Sequence, residues 1–313
     1  MNSLPADLAY DSAALRERMI GAFSGRRHLE SLFQNEDCRY GERTSSVLLL
    51  VGELPPETGK PEETCIILNK RSKEVRQPGD LCCPGGSVEK VDHLIARFLS
   101  SSSSSLSKWP VWNEMKKKQP EIAQFISLLY ATGLREAWEE MGLNPFGLVF
   151  LGPLPMQCLV VYRRSVHPMA AWVSGQKDFR LSWEVERIVK FPLRALLNPF
   201  NYGLYRRYIC PSLERRFSDP LHVLTSEFHL SSREHMDNVA VQSREKKGRK
   251  YSGWKTSDFP CFIYNAEGHA EILWGVTFKI VTQFLEMIFG FQVPDIDGLP
   301  VIPSTLDEEY LRR

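Results

Sequence analysis

An α/β fold is predicted for this chain, and two kinds of segment predict it. Short β-rich apolar runs recur, beginning with "SSVLLLVGEL" (45–54) and "TCIILNKRS" (64–72). Two longer stretches, ending at Gly142 and at about Gly290, instead carry apolar residues at helical spacing. With 313 residues, 43% of them hydrophobic, the chain is long enough to bury a substantial core.

The elements follow in order. Residues 1–40 form an N-terminal helical segment, with Leu15, Met19, Ile20 and Phe23 near helical spacing. The runs at 45–54 and 64–72, separated by the turn-prone "PPETGKPEE", pair as strands. Residues 93–120 hold a six-serine run (Ser100 to Ser105) and the triplet Lys116, Lys117, Lys118, the composition of a flexible, solvated excursion. In it, Leu94, Ile95, Phe98, Leu99, Trp109, Val111 and Trp112 are expected to dock the flanks while the serines stay mobile. A helix begins after Pro120 and runs to Gly142, a natural C-terminal stop. Gly133 inside it costs roughly 1 kcal/mol relative to Ala.

Beyond it, "LVFLGPLP", "VHPMAAWV" and "VERIVKFPLRALL" continue the strands and end in a short helix. The polar, Arg-rich stretch 200–260 yields no assignment. A hairpin around Glu267-Gly268 precedes a helix with Val276, Ile280, Phe284 and Ile288 on one face, and 293–313 is read as a C-terminal tail.

Charge and cysteine usage exclude several classes. Thirty-nine Lys plus Arg against thirty-eight Asp plus Glu give +1, which offers no field for nucleic acid or an anionic membrane. Seven cysteines without a paired CxxC arrangement point to reduced thiols in a cytoplasmic setting. The acidic N-terminus lacks the apolar run of a signal peptide, and no stretch reaches ~18 consecutive apolar residues.

The chemistry sits in "REAWEEMGL" (135–143). At ~100° per residue Glu136, Glu139 and Glu140 share one helical sector, while Leu134, Trp138 and Met141 take the opposite, buried one. Like charges at this spacing repel by several tenths of a kcal/mol and call for a cation. Mg²⁺ suits a few carboxylates plus a ligand's phosphates.

"REAWEEMGL" resembles R-E-U-x-E-E-x-G-U, the second half of the Nudix box, and "GSVEKVD" resembles its G-x₅-E opening with Asp92 at the Glu position. Forty-two residues separate Asp92 from Arg135, where the standard box has seven. "ILNKRSKEVRQPGDLCCPGG" is similar to the additional motif of the coenzyme A diphosphatase branch, keeping Leu68, Arg71, Ser72, Arg76, Gly79, Pro84, Gly85 and Gly86. Asn69 stands for its Thr, Cys83 for its Phe, and the Arg76 to Gly79 spacing is one residue short. "EVERIVKFPLRALLNP" and "ILWGVTFKIV" echo two further segments, so the resemblance spans about 45–290.

The resemblance implies a Nudix α/β/α sandwich with a mixed β-sheet, a domain over 41–292 carrying an insertion at about 93–120. It implies Mg²⁺ or Mn²⁺ on Glu136, Glu139 and Glu140, with Arg135 orienting a carboxylate. Gly85 and Gly86 would supply a turn that approaches metal and substrate; Arg71, Ser72 and Arg76 would meet the phosphates of coenzyme A; Glu184 is a candidate for activating water. The arginines also suit surface ion pairs, and Glu184 a structural salt bridge. His167 and His269 read as packing histidines; Tyr264 and Trp274 suit either adenine stacking or the core. The implied reaction cleaves the diphosphate of coenzyme A or acyl-coenzyme A. The alternatives are another nucleoside diphosphate compound, such as ADP-ribose or NADH, and a catalytically silent binding protein. The expected partner is a small nucleotide substrate, neither nucleic acid nor membrane, and a homodimer is left open.

Overall fold

The structure is a computed structural model that describes residues 12–25, 43–54, 63–101, 104–159, 164–176, 178–210, 255–266, 269–295, 298–306 and 310. The turn-prone stretch 55–62, the expected turn at Glu267-Gly268, and the expected N-terminal helical segment before 12 and after 25 lie outside these residues.

Two sheets form the middle of the molecule. The larger contains β1 (Arg43–Leu54), β2 (Glu63–Arg71), β3 (Leu81–Cys82), β4 (Gly85–Ser87), β5 (Leu148–Pro153), β6 (Gln157–Leu159), β7 (Arg164–Val173) and β8 (Val185–Pro192). It is mixed, because β1 runs parallel to β7 while its pairings with β2 and β4 are antiparallel. A smaller sheet has the order β11 (His269–Trp274), β10 (Lys255–Ala266), β9 (Tyr202–Ile209) and β12 (Val301–Leu306).

β1 shows why the larger sheet needs covering on both sides. Successive side chains point to opposite faces, and here both faces are apolar. Leu48 and Leu50 join one core, Leu49 and Val51 the other, and all four are fully buried. The second core is closed by α1 (Ser12–Phe23), through Leu15, Met19 and Phe23, and by α6 (Gly275–Phe289), through Phe278, Val281, Phe284 and Ile288. The first is closed by α2 (Asp92–Leu99), α3 (Trp112–Lys118) and α4 (Pro120–Met141). Helices thus lie on both sides of a mixed sheet, the α/β class that the sequence predicts. α5 (Leu193–Leu196) is a single turn after β8.

Three expectations are corrected. The 93–120 segment is no solvated excursion: α2, a 3₁₀ turn at Leu106–Lys108 and α3 fold it onto the sheet. Leu99, Leu106, Trp109 and Trp112 are buried, and Trp109 packs edge-on against Phe150 with ring centroids 5.2 Å apart. Ser104 is buried and donates to the Leu99 carbonyl, so its polar chain is satisfied by the α2 terminus. Leu94 and Phe98, expected to dock, stand exposed. The stretch read as a tail contributes β12, parallel to β9, and the unassigned stretch supplies β9 and the first half of β10, whose second half forms the expected hairpin with β11. Trp138 is 55% exposed, although Leu134 and Met141, read on the same side of α4, are buried.

α4 lies close to β1 for a readable reason. A Cβ at Gly133 would sit 3.3 Å from Leu48 Cβ, so glycine trades helix propensity for close packing. Gly142, at φ 64°, ends the helix, with its N–H bonded to Trp138 O and that of Leu143 to Ala137 O.

Candidate active site

One guanidinium rejoins the divided signature. Arg135 Nε donates to Asp92 Oδ1 at 2.7 Å and Nη2 to Asp92 Oδ2 at 3.2 Å, a two-pronged pair across the forty-two intervening residues. Nη2 also donates to the Ser87 carbonyl at 3.1 Å, and Nη1 lies 3.0 Å from both Glu136 Oε1 and Glu139 Oε2. The five N–H groups of the fork therefore meet five acceptors on β4, α2 and α4. Lysine has neither the donors nor the planar geometry to replace it.

Asp92 is fully buried, and its Oδ2 additionally accepts from Thr132 Oγ1 and the Glu89 N–H. Burial alone would raise this carboxyl, but the bonds from Arg135, Glu89 and Thr132 outweigh it and hold the pKa below its ordinary value. Arg135 is pushed upward: burial opposes its charge, yet Asp92, Glu136 and Glu139 more than compensate. The insertion leaves the pairing of the two halves intact because α2 begins at Asp92 itself.

The three signature carboxylates do not share one environment. Glu136 and Glu140 point inward, whereas Glu139 is 48% exposed and leans on Arg135. Burial pushes Glu140 up to about 8, with the Glu136 charge and that of Glu184 adding to it, against hydrogen bonds from Asn69 and the Gly85 N–H. Glu136 is also raised, chiefly by burial. Glu184 is half-buried, and its carbonyl accepts from the Ser72 N–H at 2.8 Å.

Gly85 and Gly86 lie in the strand β4 rather than in a turn, and their lack of side chains is needed there. A Cβ on Gly86 would fall 2.1 Å from Glu136 Oε1, and one on Gly85 2.4 Å from the Ser46 carbonyl. Glu136 thus occupies space that only glycine leaves open.

Strand alternation brings β2 into the site. Cys65 and Ile67 face the α4 side as apolar residues; Asn69 and Arg71 continue the same face where it turns polar. Asn69 Nδ2 donates to Glu140 Oε2 at 2.6 Å, and its Oδ1 is buried with no hydrogen-bond partner among the described residues. Sequence reading treats Asn69 only as a departure from a motif; its period-two relation to Arg71 is the signal that places it here. Arg71 Nε donates to the Arg76 carbonyl at 2.7 Å, shaping the 72–80 loop, while the Arg76 side chain is exposed. Ser72 Oγ accepts from the Glu74 N–H at 3.2 Å, a turn-forming bond. Tyr264 and Trp274 belong to aromatic packing, against Phe191 and Phe259 respectively. His167 is partly buried, edge-on to Phe125, and desolvation pushes its imidazole down to about 4.

The donor set suits a divalent cation. Among the described residues no three His, Cys, Asp or Glu side chains are already gathered as a ligand group. Two inward carboxylates with raised pKa values, cradled by a glycine strand, are nevertheless the donors that Mg²⁺ takes when phosphate oxygens complete its shell. Cys65, Cys82, Cys83, Cys210 and Cys261 are free thiols. Among the described residues no helix is long and apolar enough to cross a membrane.

No protein-family model matches the chain, and no curated protein matches it. Among solved structures, an Ap4A hydrolase from C. elegans in a binary complex aligns at 16% identity and a TM-score of 0.29, over 48% of this chain and 80% of that one. A MutT protein from Methanosarcina mazei Go1 aligns at 17% and 0.30, over 51% and 83%. The NUDIX domain of Shewanella oneidensis NrtR, complexed with ADP ribose, aligns at 12% and 0.30, over 55% and 84%. Likeness at this level carries no argument about function, which rests instead on the residues described above.

Proposed function

We propose that the chain is a metal-dependent Nudix-type hydrolase that cleaves the diphosphate of coenzyme A or an acyl derivative. The observation that carries this reading is the half-buried Glu136–Glu140 pair, set against a glycine strand and held by an arginine that bridges both halves of the signature. Two partly buried carboxylates with only Arg135 beside Glu136 to offset them are costly, and that cost is repaid when a divalent ion and a polyanionic ligand enter together.

Glu136 and Glu140, with Glu139 at the rim, would hold Mg²⁺ or Mn²⁺. The ion, when bound, neutralises the diphosphate and polarises its phosphoryl oxygens. The chain's own residues supply the rest. Arg71 and Arg76 receive phosphate oxygens, and Ser72 shapes the turn between them. Arg135 fixes the α4 carboxylates against β4 and α2. Glu184, whose charge reaches Glu140, would accept a proton from the attacking water. Water oxygen bonds to phosphorus, the bridging P–O bond breaks, and the products are (acyl-)4′-phosphopantetheine and adenosine 3′,5′-bisphosphate.

The coenzyme A assignment rests on the motif from Leu68 to Gly86. ADP-ribose and NADH share the diphosphate chemistry but lack the 3′-phosphate. A hydrolysis panel of coenzyme A, acetyl-coenzyme A, ADP-ribose and NADH, with Mg²⁺ or Mn²⁺ and products identified by mass, tests the reading. Coenzyme A species should be cleaved fastest. Faster cleavage of ADP-ribose or NADH would reassign the substrate, and no cleavage of any would leave a binding protein.

A further inference from the structure

The 72–80 loop, which carries Ser72 and Arg76, is fastened at its far end by residues outside both signature motifs. Asp80 is the anchor: its Oδ1 accepts from Trp274 Nε1 at 3.1 Å, and its Oδ2 accepts from the Tyr310 hydroxyl. Gln77, in the left-handed region at φ 57°, donates its N–H to the Tyr310 carbonyl at 2.9 Å. A non-glycine residue keeps that conformation only where its surroundings impose it. Beneath the contact lies the buried Arg207, whose guanidinium carbon stands 4.8 Å from the Tyr205 and Trp274 rings and 4.9 Å from that of Tyr310. Arg207 Nη1 also donates to Tyr205 Oη at 2.6 Å and to Ser304 Oγ of β12 at 3.2 Å.

The same loop is tied to the proposed phosphate site. The Arg71 N–H donates to the Asp80 carbonyl and the Gly79 N–H to the Arg71 carbonyl, both at 2.9 Å, while Arg71 Nε holds the Arg76 carbonyl. One short loop therefore joins the two candidate phosphate arginines to the C-terminal segment.

We propose that Tyr310 and Asp80 clamp the 72–80 loop and so position Arg71 and Arg76 for the substrate's phosphate groups. The C-terminal segment then acts as a positioning element of the binding site, a role that rests on the reading of those arginines given above. Asp80 is a suitable anchor because its carboxylate is held by two donors and faces the Arg207 charge. Removing one donor exposes a buried acceptor and loosens the loop without touching the carboxylates of α4.

The test uses the full-length protein, Tyr310→Phe and Asp80→Asn. Tyr310→Phe keeps the ring over Arg207 and removes one hydroxyl. Amide exchange across 73–79 should quicken by about ten-fold in both variants, with the amides of α4 unchanged. Affinity for a coenzyme A analogue whose diphosphate is methylene-bridged, measured calorimetrically with Mg²⁺ present so that binding is read without turnover, should weaken. KM should rise in parallel while kcat stays within about two-fold, since binding rather than chemistry is altered. Unchanged exchange over 73–79 in both variants, or equal acceleration throughout the chain, would overturn the clamp. Absence of coenzyme A binding by the unmodified protein would overturn the reading of Arg71 and Arg76 instead, and the exchange measurement would then decide the clamp alone.

Discussion

At position 140 a carboxylate sits where its charge is opposed by burial and by Glu136, and its pKa near 8 measures that opposition. A folded pKa above the unfolded value means that the native state binds the extra proton, so the metal-free protein loses stability as pH rises from the ordinary Glu range through about 8. His167, lowered to about 4, acts the other way, its contribution growing with pH and complete above about 6.5. Above about pH 6.5 the His167 contribution no longer changes, whereas Glu140 goes on titrating to about 8. Glu140→Gln should therefore raise the melting temperature of the metal-free protein at pH 8 more than at pH 6.5, while reducing turnover by ~100-fold or more if Glu140 is the metal carboxylate proposed above. Equal melting temperatures for variant and parent at pH 8 would show that Glu140 is not strained. Asn69→Ala removes the donor that stabilises the Glu140 carboxylate, and the acid limb of the kcat/KM profile should move to higher pH. An unmoved limb would return Asn69 to a packing role.

Among the elements, α2 and α3 decide how the forty-two residues between the signature halves are understood. Their polar serines and lysines suggest a solvated loop, and composition alone gives no other reading. The information that folds them is carried by a few apolar side chains, Leu99, Leu106, Trp109 and Trp112, whose value depends on the sheet they meet. Trp112→Ala should cost about 3–5 kcal/mol, read from denaturant unfolding, because the side chain is fully buried. A cost below about 1 kcal/mol, ordinary for an exposed position, would restore the excursion. α4 was more legible: Pro120, Gly142 and the carboxylate spacing mark its ends and its polar side. Trp138 was misread because helical periodicity identifies a direction without saying which neighbours fill it.

For the whole molecule, the larger sheet was readable where apolar runs are continuous, as in β1 and β2, and hidden where pairing is long-range. The β10–β11 hairpin was readable from its local pattern, whereas β9 and β12 join segments far apart in sequence, so no local pattern announces them. The site follows the same division. Arg135, Glu136 and Glu140 come from one helix and were legible; Asn69 and Asp80 act through partners that only the folded chain supplies. A cation that relieves the Glu136–Glu140 repulsion binds the native state alone and stabilises it by mass action. Mg²⁺ should therefore raise the melting temperature more at pH 8 than at pH 6.5, and the difference should vanish in Glu140→Gln. A pH-independent increment would place the ion elsewhere.

The most direct measurement is the mass of the products formed from coenzyme A by the full-length protein with Mg²⁺. The account predicts 4′-phosphopantetheine and adenosine 3′,5′-bisphosphate in equal amounts, with the yield abolished by chelator and nearly so by Glu140→Gln. Intact coenzyme A after prolonged incubation with natively folded protein would contradict it.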